Sequence, residues 1–215
     1  MIALTLFAIA AFAGARPALR AVEAASLLNG LAMSTASPPA ARLPRQEITF
    51  VIEGRAYRAD LYRSDGEARA ALLLVPGLAP DGKDDRRLVE LAGVLAQARF
   101  TVLVPDLASL RAQRVSPDNI RQIADALRFM AGGENPNIPL GRPLGIAAIS
   151  YAVGPALLAT MQSTVVGKTD FMAAIGGYYD VVSVIAYFTT GYYRAEPGGP
   201  WRRGTPNEFG KWLFV

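Results

Sequence analysis

The 215 residues include no cysteine and no histidine. Without cysteine the chain can form no disulfide, no thiolate-ligated zinc site and no cysteine nucleophile. Without histidine it lacks the usual general base near neutral pH and the commonest neutral metal ligand. Carboxylates remain for a hard cation, but Asp and Glu nowhere form a short-spaced cluster, so neither a metal nor a cofactor is expected. No Gly-x-x-x-x-Gly-Lys-Ser/Thr run is present to cradle a nucleotide phosphate. Charge is sparse at 19%, with Lys+Arg 22 against Asp+Glu 18. The basic residues are scattered, Arg86-Arg87 and Arg202-Arg203 being the densest pairs, which gives no footprint for nucleic acid.

What the chain has instead is apolar sequence, 52% of its residues. That suffices for one α/β domain with a real core, or for part of a larger one. Met1 to Ala15 carries no charge before Arg16. Such a run suits a signal-peptide core better than a membrane span, which needs roughly 20 residues. No Lys or Arg precedes it, as a standard signal would require. Pro17 to Met33 reads either as a short helix at a membrane surface or as a weakly ordered leader. Residues 1–33 are therefore expected to export the chain or associate it with a membrane, and a non-functional leader would leave it cytoplasmic. Residues 34–45, with Pro38, Pro39 and Pro44, form an expected linker.

The remaining sequence, 46–215, alternates strand and helix patterns. Ile48 to Glu53 and Ala56 to Tyr62 flank Gly54-Arg55 as an expected hairpin. Ala70 to Val75, Phe100 to Val104, Leu144 to Ile149 and Phe171 to Ile175 are short apolar runs of the kind that fill buried parallel strands. Between them, helices are predicted after Asp84 or Asp85, after Ser116-Pro117 and over Ala152 to Met161. The predicted fold is α/β, a mostly parallel sheet with helices on both faces. From Tyr178 the rhythm breaks into a Tyr-rich, Gly-Pro-rich stretch, so 178–215 is expected to form a lid or cap.

Three segments resemble the α/β-hydrolases. Leu144 to Ile149 followed by Ser150-Tyr151-Ala152 resembles their nucleophile elbow, with alanine at 148 and 152 where Gly-x-Ser-x-Gly has glycine. Leu72-Leu73-Leu74-Val75-Pro76-Gly77-Leu78 resembles the strand and loop that supply one oxyanion-hole amide. Val102-Leu103-Val104-Pro105-Asp106 resembles the next strand and its exit. The resemblance implies that Ser150 is the nucleophile position and that the backbone N–H groups of Leu78 or Gly77 and of Tyr151 meet the oxyanion. It implies a small acyl or ester substrate for the complete protein.

The resemblance also implies an orienting acid and a histidine base. Asp180, just past the Phe171 to Ile175 strand, is the candidate acid, with a helix cap as its alternative role; Asp106 reads as structural or pocket-shaping. No histidine exists to fill the base position, and Lys168 sits in a polar stretch unsuited to replace it. The sheet is accordingly expected to be incomplete on its carboxyl-terminal side, as in a chain truncated before its final strands. The functional expectation is an ester hydrolase site that is inactive as given. A noncatalytic, envelope-associated binding module on the same fold is the alternative.

Overall fold

The computed structural model describes residues 45–64, 66–178 and 180–206, together with Ala25. Expectations for the leader, for residues 34–44 of the linker and for the apolar end beyond 206 lie outside these residues. The expected membrane association needs correction to this extent: no helix among the described residues is long and apolar enough to cross a membrane.

Among residues 45–206 the described elements follow in the order β1 (Arg45–Ile52), β2 (Arg55–Tyr62), β3 (Ala70–Val75), α1 (Arg86–Gln97), β4 (Phe100–Pro105), α2 (Ala108–Arg111), α3 (Asp118–Gly132), β5 (Leu144–Ile149), α4 (Val153–Thr160), β6 (Phe171–Ile175), α5 (Val181–Thr190), β7 (Tyr192–Tyr193) and β8 (Arg202–Arg203). Six strands form one sheet in the order β1-β2-β4-β3-β5-β6. β1, β2 and β4 pair antiparallel, whereas β4, β3, β5 and β6 are mutually parallel.

Alternation within the strands explains the layers. Leu73 and Val75 of β3 join Leu103, Ile146 and Ala148 in one fully enclosed cluster with Ile123 and Leu127 of α3 and Ala156 of α4. Leu72 and Leu74 point the other way, onto Val102, Val104 and the Leu88, Ala92 and Ala96 stripe of α1. Each of these leucines contributes roughly 1.5–3 kcal/mol through burial. Both faces of the central strands are thus covered, which is why their sequences run apolar without a polar alternate.

The β1–β2 turn differs from expectation by one residue. Ile52 pairs with Arg55, so Glu53 and Gly54 form the two-residue turn, with φ of 52° and 77°. Two positive φ values match the twist of a hairpin, and only Gly54 announces this in the sequence. The helices begin near their predicted caps. Asp85 accepts from the Arg87 N–H at 2.9 Å, and Ser116 Oγ accepts from the Asp118 N–H at 3.2 Å. Beyond β6 the stretch expected as an irregular excursion contains α5, a helix with no buried residue, and the small β7–β8 ribbon.

Candidate active site

Right-handed crossovers decide where the site forms. From β3 the chain moves outward through α1 to β4, then returns past β3 through α3 to β5. This reversal puts α1 and α3 on opposite faces, so the loops leaving the carboxyl ends of β3 and β5 diverge. In open α/β sheets ligands bind at such a switch point.

Gly77 leaves β3 there and Ser150 leaves β5. Ser150 adopts φ 54° at the junction of strand and 3₁₀ turn Ser150–Ala152, which runs directly into α4. A left-handed backbone costs a non-glycine residue about 1–2 kcal/mol, so the packing on both sides must impose it. Ala148 and Ala152, the small residues flanking the serine, are both fully buried. The Ser150 side chain is exposed.

A methyl group at Gly77 would lie 3.1 Å from the Ile149 carbonyl oxygen and 3.3 Å from Ser150 Cβ. Only a hydrogen fits there without a shift, and its absence of bulk lets the β3 loop touch the elbow. Leu78 follows, half-buried, and it and Tyr151 each pack against the same core cluster. The structure therefore brings together Ser150, Tyr151, Gly77 and Leu78.

The β3 loop is pinned from behind by a charged cluster that the sequence did not reveal. Lys83, in the 3₁₀ turn Gly82–Asp84, is buried and places Nζ 3.2 Å from the Asp60 carboxylate and 3.1 Å from Glu47 Oε2. Asp60, 1% exposed, also accepts two hydrogen bonds from Arg45, at 2.9 and 2.6 Å. Asp84 closes the ring by pairing with Arg45 and lies 3.6 Å from Lys83. Burial opposes the charge on Lys83, but the hydrogen bonds to Glu47 and Asp60 outweigh it and raise its pKa. The Arg45 hydrogen bond holds Asp84 below the usual carboxylate range. Burial pushes the neighbouring Tyr62 phenol up to about 12.

Other predicted residues fall elsewhere. Asp180 is the N-cap of α5, accepting from the Val182 N–H at 3.0 Å and the Ser183 hydroxyl at 2.5 Å. Its pKa is lowered, first by Ser183. Asp106 lies at the end of β4, 2.9 Å from Arg58 and 3.6 Å from Arg111. Lys168 precedes β6 at the amino end of the parallel strands, whereas Ser150 follows the carboxyl end of β5. The six residues of β5 separate the two ends by roughly 20 Å, at 3.3 Å per residue. That distance removes Lys168 as a base. Among the described residues no three carboxylates group closely enough to hold a metal ion.

One neighbour of the elbow carried no signal in the sequence. Tyr178 lies over the start of α4, where a methyl group on Gly154 would stand 2.4 Å from its hydroxyl. That hydroxyl donates to the Tyr151 carbonyl at 3.4 Å. Burial raises the pKa of both phenols, and Tyr178 adds to the effect on Tyr151.

No family model and no curated protein matches the chain. Solved structures do. The esterase rPPE superposes with a TM-score of 0.57 at 15% identity, over 88% of this chain and 57% of that one. The fold is that of the α/β-hydrolases. Dienelactone hydrolase from Anabaena variabilis gives 0.52 at 18% identity, over 63% of this chain and 64% of that one. The α/β-hydrolase LAE6 from the metagenome of Lake Arreo gives 0.52 at 18% identity, over 81% and 56%. Identities this low establish the α/β-hydrolase fold alone, and the chain spans less than two thirds of the length of each structure. Within that fold β6 is the last strand of the sheet among the described residues, so the sheet is left open on its carboxyl-terminal side.

Proposed function

We propose that the crevice between β3 and β5 is an acyl-transfer site of the serine ester hydrolase kind, with Ser150 at the nucleophile position. One observation carries the reading: Ser150 is held at φ 54° between strand and helix, with Gly77 packed against it. A serine that merely capped a helix would need neither the strained backbone nor the close loop. In the reaction Ser150 Oγ bonds to the carbonyl carbon, and the carbonyl oxygen takes up negative charge. The N–H groups of Tyr151 and of Leu78 or Gly77 are the donors we assign to that charge. The solved structures named above include an esterase and a dienelactone hydrolase, which supports a small acyl or ester substrate. The segment from Tyr178 onward would cover it as a cap.

Attack also releases the serine proton, and these 215 residues hold no histidine to accept it. A histidine base is therefore not supplied by these residues. Asp180 is engaged at both carboxylate oxygens as a cap, so the orienting acid stays unassigned. The chain by itself is therefore a poor catalyst, with at most the roughly 10³-fold enhancement that binding and an oxyanion hole leave when a triad is lost. The missing histidine equally favours a second reading, a noncatalytic module that binds acyl or ester compounds in the same crevice. In either case the charge-free run before Arg16 is proposed to export the chain.

Turnover of a p-nitrophenyl ester by the chain and by its Ser150→Ala form tests the proposal. Equal, near-background rates are expected. A burst lost in Ser150→Ala would require a non-histidine base within this chain. Addition of an ester analogue with measurable affinity but no turnover would favour the binding module.

A further inference from the structure

We infer that Tyr178 is a positioning residue for the oxyanion site: its hydroxyl holds the turn that follows Ser150, so that the Tyr151 N–H is aimed at the carbonyl oxygen of a bound acyl group. The inference rests on the reading of Ser150 as the nucleophile position. It adds a residue from another loop that sets how well one oxyanion donor is aimed.

The need for such a residue arises in the sequence of α4. In an α-helix each carbonyl accepts from the N–H four residues on. For the Tyr151 carbonyl that residue is Pro155, which has no N–H. Proline is tolerated in the first turn of the helix, but the carbonyl next to the elbow is thereby denied its helical donor. Tyr178 supplies one, with its hydroxyl 3.4 Å from the Tyr151 oxygen. A phenylalanine would fill the same space, so only the hydroxyl accounts for this contact.

Two glycines fit this donor to its place. The chain leaves β6 at Ile175, and Gly176, at φ 61°, begins the turn that carries Gly177 and Tyr178 onto α4. A methyl group on Gly177 would stand 2.7 Å from Cγ1 of Val153, and one on Gly154 would stand 2.4 Å from the Tyr178 hydroxyl. The contacts interlock: a helix valine fills the space over a loop glycine, and the loop tyrosine fills the space over a helix glycine. At its other end Tyr151 is held through its ring, whose phenol takes a backbone hydrogen bond from Ser116, just ahead of α3. Tyr151 is thus fixed at its carbonyl and at its phenol, and its own N–H lies between these anchors and Ser150. The left-handed backbone of Ser150, φ 54°, is the kind of conformation that persists only when its surroundings impose it.

Butyrate is a suitable probe, because its carboxylate carries the charge that oxyanion donors attract and its binding requires no base. In proton–nitrogen correlation spectra of the 215-residue chain, butyrate should shift the Tyr151 N–H together with that of Leu78 or Gly77. Tyr178→Phe removes one neutral hydrogen bond, so the butyrate dissociation constant should rise roughly fivefold. At saturation the Tyr151 shift should shrink while the Leu78 or Gly77 shift remains. Pro155→Ala restores the missing helical donor. In that background Tyr178→Phe should change butyrate affinity by less than about twofold, a rescue that a packing role would not produce. Unchanged shifts and affinity in Tyr178→Phe would overturn the inference and leave the reading of Ser150 standing. An equal loss in both backgrounds would assign Tyr178 to packing and overturn it as well. If the Tyr151, Leu78 and Gly77 amides of the native chain all ignored butyrate, the reading of Ser150 would fall and the inference with it.

Discussion

Removing the negative charge of Asp60 should destabilise the chain far more than removing the positive charge of Lys83. Asp60 is the hub: it is 1% exposed, accepts from both Arg45 and Lys83, and stands between two buried or half-buried cations. Breaking a buried ion pair from one side costs about 3–5 kcal/mol, because the surviving charge is left without its partner. Asp60→Asn leaves Arg45 with Asp84, and Lys83 with Glu47 and Asp84, carboxylates that are half exposed and already shared. The full penalty of about 3–5 kcal/mol is expected. Lys83→Met retains the Arg45–Asp60 pair at 2.6 Å and fills the volume of the lysine stem, so about 1–2 kcal/mol is expected. For a domain of this size 1 kcal/mol moves Tm by about 2–4 °C. Urea denaturation of the two single variants and the double variant closes the cycle, whose coupling term should be of order 1–3 kcal/mol. Equal losses below 0.5 kcal/mol in both single variants would mean that the cluster does not anchor the β3 loop.

The strain at Ser150 is open to a direct comparison. Glycine accepts φ 54° without a Cβ clash, whereas alanine keeps the clash, so Ser150→Gly should be more stable than Ser150→Ala by about 1 kcal/mol in thermal unfolding. A glycine variant less stable than the alanine variant would show that the elbow is unstrained. Stability should also depend on pH at both extremes. Asp84 and Asp85 titrate below their ordinary 3.8, through hydrogen bonds from Arg45 and Arg87 respectively. The unfolded chain therefore takes up protons first, and stability falls as pH drops below about 4. Burial raises Tyr62 from 10.0 to about 12, and Lys83 is raised above 10.5, so a second loss is expected as pH rises through that range. Urea midpoints that stay constant from pH 3 to pH 11 would contradict both directions.

β3 and β5 were legible because each is buried on both faces and so reads as an unbroken apolar run; β6 has the same kind of sequence but is largely exposed among the described residues. β3, β5 and β6 occupy the residues their sequences suggest. The hairpin turn was displaced by one residue because Glu53, an ordinary side chain, takes a left-handed φ that composition does not announce. α5 was signalled only by the alternative role of Asp180 as a helix cap, because Val181–Thr190 is apolar nearly all round, with no polar face to set a helical period, and it buries nothing in the described structure. The turns that carry Ser150 and Gly77 were legible from local motifs, each a strand followed by a small-residue turn. The Asp60–Lys83–Glu47 cluster was not, because its members come from β1, β2 and the β3 loop and meet only through strand pairing. Tyr178 over Gly154 is likewise a long-range contact with no local pattern. Lys168 shows the reverse: a base conceivable from composition is removed by the direction of two parallel strands.

The measurement closest to the central claim is mass-spectrometric mapping of a fluorophosphonate probe on the 215-residue chain, alongside Ser150→Ala. The proposed elbow presents a serine hydroxyl in a chain without a histidine to take its proton. Ser150 should therefore carry well under one tenth of an equivalent after exposures that label active serine hydrolases fully. Stoichiometric labelling at Ser150, absent in Ser150→Ala, would contradict it.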